Sequence, residues 1–123
     1  MAASEPTMIG VTEATHPKLQ RLKEDGHFHE MADAYRFAIG LALAQGVMPP
    51  EISSRTVFSV ATIDPNQEIK NAIQAVLGSQ LEGSVYKMAE RLADWGINEL
   101  AAAAERGDID VVALFDQAQA AKN

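Results

Sequence analysis

Cysteine is absent from the 123 residues of this sequence. Its absence excludes disulfide scaffolds, cysteine-ligated zinc, iron–sulfur clusters and thiol catalysis, and it leaves histidine and carboxylates as the only metal ligands. Long apolar runs are also missing, because the longest one, Phe37 to Ala44, is far shorter than the roughly 20 residues that span a bilayer. The N-terminus lacks the basic and apolar segments of a secretory signal. We therefore expect a cytoplasmic protein that makes no contact with membranes.

Positive charge is scarce. Ten Lys and Arg residues stand against 17 Asp and Glu residues, so the formal net charge is −7. Proteins that bind DNA usually carry a basic surface, because neutralisation of phosphates supplies most of their affinity. The composition therefore argues against strong DNA binding, and any DNA contact would have to come from a local basic patch. We predict that the acidic residues of the C-terminal half lie on the outer faces of its helices: Glu82, Glu90, Asp94, Glu99, Glu105, Asp108, Asp110 and Asp116.

Motifs of known enzymes are missing as well. The sequence has no glycine-rich phosphate loop, nucleophile elbow or dinucleotide fingerprint. The only cluster of residues of the types that bind metals is His27, His29 and Glu30. Its signal is weak, because a zinc site needs three or four ligands with defined supporting partners. We interpret this stretch as a helix connection in which Phe28 packs into the core. We expect a non-enzyme with no catalytic residue, metal or cofactor, and the alternative is a metal-assisted enzyme at these three residues.

The spacing of apolar residues predicts a mainly α fold in one domain, residues 1–123. A short strand is predicted at Thr7 to Thr12, followed by a helix over about 16–25 that begins after Thr15. A second helix starts near Met31 and ends at Gly46. Two consecutive prolines, Pro49 and Pro50, then begin a connector over 49–63. Its residues 55–63 are predicted to be a strand or an extended segment.

The rest of the chain, residues 64–123, is predicted to be a helical subdomain of three to four helices. Asp64 caps the first of them, Gln67 completes a capping box, and Gly78 ends it. The next helix starts after Ser84 and bends or breaks at Gly96. A last short helix carries an apolar side made of Val111, Leu114, Phe115 and Ala118.

The helix that ends at Gly46 is apolar on nearly all sides. Such a helix must be buried nearly all round, and in a chain of this size its second face needs another surface. We therefore expect a homodimer or higher oligomer, with the alternative that this is the central helix of a monomeric bundle. The predicted interface consists of Met31, Ala34, Tyr35, Phe37, Ala38, Gly40, Leu41, Ala42 and Ala44.

The order of a short strand, a short helix, a glycine turn and a long helix resembles the ribbon-helix-helix layout of the Arc and MetJ repressors. It is also similar to the small E component of bacterial DNA phosphorothioation systems, in residues 19–23, in Gly26 and in residues 32–43. The resemblance covers about residues 7–46. It implies an oligomerisation core over 1–48, an obligate dimer whose strands pair across the two copies, and contact with DNA.

Specific reading of bases is not expected from the predicted strand, because it carries no amide or cationic side chain. Contacts to the DNA backbone are expected instead from Lys18, Arg21, Lys23 and Arg36. The leading hypothesis is a non-enzymatic, DNA-associated accessory protein of a DNA modification, defence or regulatory complex, with a second copy of itself and DNA as partners. The alternative is an assembly subunit that docks a basic protein on its acidic helices and binds no nucleic acid.

Overall fold

A computed structural model describes residues 6–106 of the chain. Helices dominate it, as the sequence predicted. In chain order the elements are β1 (Met8–Val11), α1 (His16–Glu24), α2 (Met31–Gln45), β2 (Arg55–Ser59), α3 (Val60–Ile63), α4 (Glu68–Leu77), a 3-10 turn (Gly78–Gln80) and α5 (Val85–Glu105). The predicted last short helix lies outside the described residues.

The two strands form one antiparallel pair. In its register Met8 lies opposite Ser59 and Val11 lies opposite Arg55, with an irregularity after Ile9. The backbones approach so closely that a Cβ atom on Gly10 would lie 1.7 Å from the carbonyl oxygen of Arg55, so only glycine fits at this position. The predicted strand is thus confirmed, and the segment 55–63 becomes a strand followed by the one-turn helix α3. The resemblance implies strand pairing between two copies, whereas β1 here pairs with β2 of the same chain.

The first two helices have the predicted bounds. α1 begins after Thr15 with Pro17 in its first turn, and it buries Leu19 and Leu22. α2 ends at Gly46, whose backbone φ of 70° is in the left-handed region that favours glycine. α2 lies at the centre of the molecule and contacts α1, α3, α4 and α5.

The start of α4 differs from the prediction. Asp64 does cap this helix, but its carboxylate accepts the backbone N–H groups of Ile69 and Lys70, both at 2.9 Å, several residues further along than expected. Gln67 does not complete a capping box. It adopts a left-handed conformation, with φ at 60°. The chain turns at this residue, and the helix that follows points its first N–H groups at the Asp64 carboxylate.

The predicted bend or break at Gly96 is wrong, because α5 runs without interruption from Val85 to Glu105. Gly96 instead lies where the backbones of α5 and α2 pack closely against each other. A Cβ atom there would lie 2.3 Å from the carbonyl oxygen of Ala38. The glycine is therefore required by helix packing and does not end the helix.

One hydrophobic core joins the two halves of the described chain. It includes residues from β1, α1, α2, α4 and α5, among them Ile9, Leu19, Tyr35, Ile73 and Leu92. Between residues 6 and 106 no helix combines the length and apolar character needed to cross a membrane.

Candidate nucleic-acid interface

Helix α1 presents its cationic side chains because its apolar residues face the core. With Leu19 and Leu22 buried, Lys18, Arg21 and Lys23 are all exposed. Successive residues of an α-helix are rotated by about 100°, which places Lys18 and Arg21 on one side and Lys23 about 140° away from Lys18. Lys18 and Arg21 form a pair, and Lys23 lies on the opposite flank of the buried stripe.

Lys18 and Arg21 border a small cleft between α1 and α5, which we call the α1–α5 cleft. Its lining consists of Lys18, Arg21 and Leu22 from α1, Asp25 directly after it, and Ala101, Ala104 and Glu105 from α5. The cleft has a volume of about 70 Å³, whereas pockets that hold cofactors or small-molecule substrates typically measure about 300–1,000 Å³. The cleft can therefore accommodate a single small group at its rim and is too small to enclose a cofactor.

A hydrogen-bond network holds the Lys18 side chain over this cleft. Its Nζ atom donates to Oδ1 of Asn98 at 2.6 Å. Asn98 in turn donates from Nδ2 to Oγ1 of Thr15 at 2.9 Å and to the backbone carbonyl of Asp94 at 2.8 Å. Because Asn98 is neutral, it orients the ammonium group without cancelling its charge.

Within residues 6–106, the ionic partner of Arg21 is weakly bound. Its Nη2 atom lies 3.9 Å from Oδ2 of Asp25, and both side chains are largely exposed. Exposed pairs of this kind contribute about 1 kcal/mol at most, because water and salt screen them. A phosphate group can therefore displace Asp25 at little cost.

Arg36, the fourth predicted contact, lies in a different place. Its guanidinium pairs with Asp33 at 2.9 Å and donates to the backbone carbonyl of Thr62 at 3.1 Å. It lines a second cleft, made with α3 and the start of α4. The four predicted cations thus do not form one surface, since Lys18 and Arg21 border the α1–α5 cleft, Lys23 lies on the other flank of α1 and Arg36 joins α2 to α3.

Two of the carboxylates predicted on outer helix faces are buried, so that prediction is wrong for them. Glu90 is 3 % exposed and Asp94 is 9 % exposed. Oε2 of Glu90 accepts the backbone N–H of Gly10 at 2.8 Å, and Oδ2 of Asp94 accepts the backbone N–H of Thr12 at 2.8 Å. β1 has β2 along one edge, and its buried N–H groups on the other edge need acceptors, which these side chains supply.

Burial places part of the negative charge of the protein away from its surface. Asp64, at 4 % exposed, joins Glu90 and Asp94 inside the protein, so three of the 17 acidic residues are held by internal donors. These donors include neutral backbone N–H groups, which do not cancel the charge of a carboxylate, so the net charge of −7 still opposes the approach of a phosphate. Of the other carboxylates predicted on outer faces, Glu82, Glu99 and Glu105 are exposed, while Asp108, Asp110 and Asp116 lie outside the described residues.

Tyr35 anchors β1 from α2. Its hydroxyl donates to the backbone carbonyl of Gly10 at 2.8 Å, and its ring contacts Phe58 edge-on, with the ring centres 5.2 Å apart. Burial raises the pKa of the Tyr35 hydroxyl well above its usual value, and the nearby carboxylates of Glu90 and Asp94 add to this effect. The hydroxyl therefore keeps its proton and remains a donor to β1.

The predicted oligomer interface divides into two groups. Five of its residues contribute to the chain's own core, as expected for the central helix of a single-chain bundle: Ala34, Tyr35, Ala38, Leu41 and Ala42. The other four are half-buried: Met31, Phe37, Gly40 and Ala44. Any contact between copies through α2 is therefore confined to this second group and its neighbours.

The histidine stretch carries no metal-ligand set. His29 Nε2 lies 4.0 Å from Glu30 Oε1, and both side chains are exposed. Over residues 6–106 no three histidine or carboxylate side chains lie close enough to hold a metal ion. Phe28 packs against the core and contacts Phe37, with ring centres 5.7 Å apart, so this stretch forms the predicted helix connection.

Sequence reasoning missed Glu90, Asp94 and Asn98 as a group. They are spaced four residues apart, so they form one polar stripe along α5. The stripe runs beside the apolar residues Ala89, Ala93 and Ile97, all fully buried. A regular polar stripe directly beside a core face was the available signal that these side chains meet another part of the chain.

Comparison with known proteins gave no match, whether with protein families, with curated proteins or with solved structures.

Proposed function

We propose that the protein is a non-enzymatic, DNA-associated accessory protein that contacts the DNA backbone through α1. The observation that carries this proposal is the position of Lys18, whose ammonium group is held at the surface by the neutral side chain of Asn98 at 2.6 Å. Arg21 lies one helical turn further along the same side of α1, and Lys23 adds charge on the flank. Cations in this arrangement attract phosphate oxygens without regard to sequence.

The geometry favours backbone contact over base reading. Of the β1 side chains, Ile9 and Val11 are fully buried, and the exposed one, Met8, is apolar and offers no hydrogen bond to a base edge. The backbone edges of β1 are occupied by β2 and by the carboxylates of α5. With its resemblance to small components of DNA modification systems over residues 7–46, the chain fits an accessory role in a modification, defence or regulatory complex.

The proposal is tested by titrating a fluorescein-labelled DNA duplex with the full chain and measuring anisotropy at about 50 mM and about 200 mM salt. We expect micromolar binding that weakens as salt rises, with a slope of log affinity against log salt of about −2 to −3, as two or three phosphate contacts predict. The double substitution Lys18→Glu and Arg21→Glu should abolish binding at both salt concentrations.

The matched control is the double substitution Arg55→Glu and Lys70→Glu, which changes the net charge equally but lies on β2 and α4. It should lower affinity far less. Equal loss in both variants would mean that only total charge matters and would reject the α1 site.

The alternative is an assembly subunit that docks a basic protein. Exposed Glu99 and Glu105 on α5 favour it, although burial of Glu90 and Asp94 removes two of the residues on which it depends. Absence of DNA binding at the lower salt concentration would favour this alternative.

A further inference from the structure

Lys18 is set apart from the other cations of α1 by its connection to the interior. Four polar side chains lead inward from it: Asn98, Thr15, Thr12 and Asp94. Oγ1 of Thr12 donates to Oδ2 of Asp94 at 3.0 Å, and it accepts from the hydroxyl of Thr15, with 3.0 Å between the two Oγ1 atoms. Because Thr15 and Asp94 are 2 % and 9 % exposed, the inner end of this hydrogen-bond network is fixed in the packed interior.

The amide of Asn98 is fixed by these contacts. Its Nδ2 group donates to Thr15 and to the backbone carbonyl of Asp94, so its Oδ1 atom must point outward, toward Lys18. A lysine side chain has four flexible bonds and loses much conformational freedom when it binds a phosphate. An acceptor that already holds the ammonium in place reduces that loss before DNA arrives.

We propose that Asn98 is a positioning residue of the DNA-backbone site: it holds the ammonium of Lys18 beside Arg21 at the rim of the α1–α5 cleft. This inference rests on the proposed function. It adds a residue of α5 to a site whose cations all come from α1, and it makes the contact of α1 with α5 part of the binding site. An ammonium group has three N–H donors, so Lys18 can hold Asn98 and a phosphate oxygen at the same time.

The test is a double-mutant cycle on DNA affinity in the full chain, with Lys18→Ala, Asn98→Ala and the two combined, using the labelled duplex at about 50 mM salt. Alone, Asn98→Ala should weaken binding about two- to tenfold, the range expected when one flexible side chain must be ordered on binding. In the Lys18→Ala background it should have no further effect, because Asn98 acts through Lys18. The control Asn71→Ala removes an exposed asparagine on α4 and should change nothing.

A merely structural role would give a different result. If Asn98→Ala weakened binding by the same factor with and without Lys18, the positioning role would be rejected while the DNA-binding function stood. If the unmodified chain bound no DNA, the proposed function would be rejected, and this inference with it.

A second variant covers the case in which Asn98→Ala fails to fold, as shown by loss of the helical circular dichroism signal. Asn98→Ser keeps a small polar side chain but cannot reach Lys18, and it enters the same cycle with the same expectations. Carbon-13 NMR order parameters of the lysine ε-methylene groups add a readout without DNA. They should show Lys18 more ordered than Lys23 in the unmodified chain and equally mobile in the Asn98 variant, and no difference between the two lysines in the unmodified chain would reject the positioning role.

Discussion

Single polar residues decide how the interior of this protein is arranged. Glu90 accepts a backbone N–H group of β1, Asp94 accepts that of Thr12 directly after it, and Tyr35 donates to a β1 carbonyl. No buried side-chain nitrogen or oxygen of the described residues lacks a hydrogen-bond partner. Since an unpaired buried polar group costs about 1–3 kcal/mol, complete pairing is what makes two buried carboxylates compatible with a stable fold.

Tyr35 makes the stability of the protein sensitive to alkaline pH. Its folded-state pKa is raised, whereas in the unfolded chain a tyrosine titrates near pH 10. Its stabilising contribution is fully present below about pH 10 and is lost as pH rises through the folded-state pKa, because the unfolded chain releases the proton first. We expect the free energy of unfolding, measured with urea, to fall from about pH 10 upward.

The variant Tyr35→Phe provides the comparison for this pH effect. At neutral pH it should be less stable by about 1 kcal/mol, because the hydrogen bond to Gly10 is lost. Above pH 10 its stability should decline less steeply than that of the unmodified chain. The other tyrosine, Tyr86, is present in both proteins, so parallel declines would assign the alkaline sensitivity to another group.

Among the elements, those defined by local patterns were predictable from the sequence. The apolar spacing of α1 and α2, and the left-handed glycine after α2, depend on residues within a few positions of one another. The start of α4 was misplaced because the Asp64 side chain reaches past the turn to Ile69 and Lys70.

The candidate site was predictable only in part. Exposure of Lys18 and Arg21 follows from the helical spacing of α1, so these residues could be found from the sequence. The polar stripe of α5 indicates that Asn98 meets another part of the chain but not which part, because its partners Thr15 and Lys18 lie 83 and 80 positions earlier in the chain. Glu90 and Asp94 were misassigned for the same reason, since a charged residue at helical spacing looks solvent-exposed until its distant partner is known.

The crossing of α2 and α5 gives a prediction at the scale of elements. Gly96→Ala should destabilise the protein by about 1–3 kcal/mol, because its Cβ atom would meet the Ala38 backbone and force the helices apart. This loss should outweigh the roughly 1 kcal/mol by which alanine favours a helix over glycine. Urea denaturation measures it, with Glu99→Ala on the exposed side of α5 as the control, expected to stay within about 0.5 kcal/mol.

If Gly96→Ala were neutral or stabilising, the two helices would have room to separate. The close approach at Ala38 would then not determine their packing.

At the scale of the whole molecule, association remains a prediction from the apolar character of α2. The half-buried positions Gly40 and Ala44 are where a second copy would contact this helix. We expect sedimentation equilibrium to show a dimer or higher oligomer that Ala44→Glu dissociates, since an unpaired charge is costly to bury at an interface. Gln45→Glu adds the same charge at the adjacent exposed position and should leave association intact.

Two outcomes would contradict this expectation. A monomer mass for the unmodified chain at every concentration would mean that the single-chain bundle is the complete assembly. An oligomer unaffected by Ala44→Glu would mean that copies associate through a surface other than α2.

The attachment of β1 to α5 also has a consequence for the order of folding. The bonds from Gly10 to Glu90 and from Thr12 to Asp94 join residues 80 and 82 positions apart, and the strand partner of β1 begins only at Arg55. A ribosome releases β1 long before it has made these partners. The first strand to be synthesised is therefore among the last elements to form all of its hydrogen bonds. Until α5 emerges, the edge of β1 that faces away from β2 lacks its partners, and closing so long a loop is the step expected to limit the rate of folding.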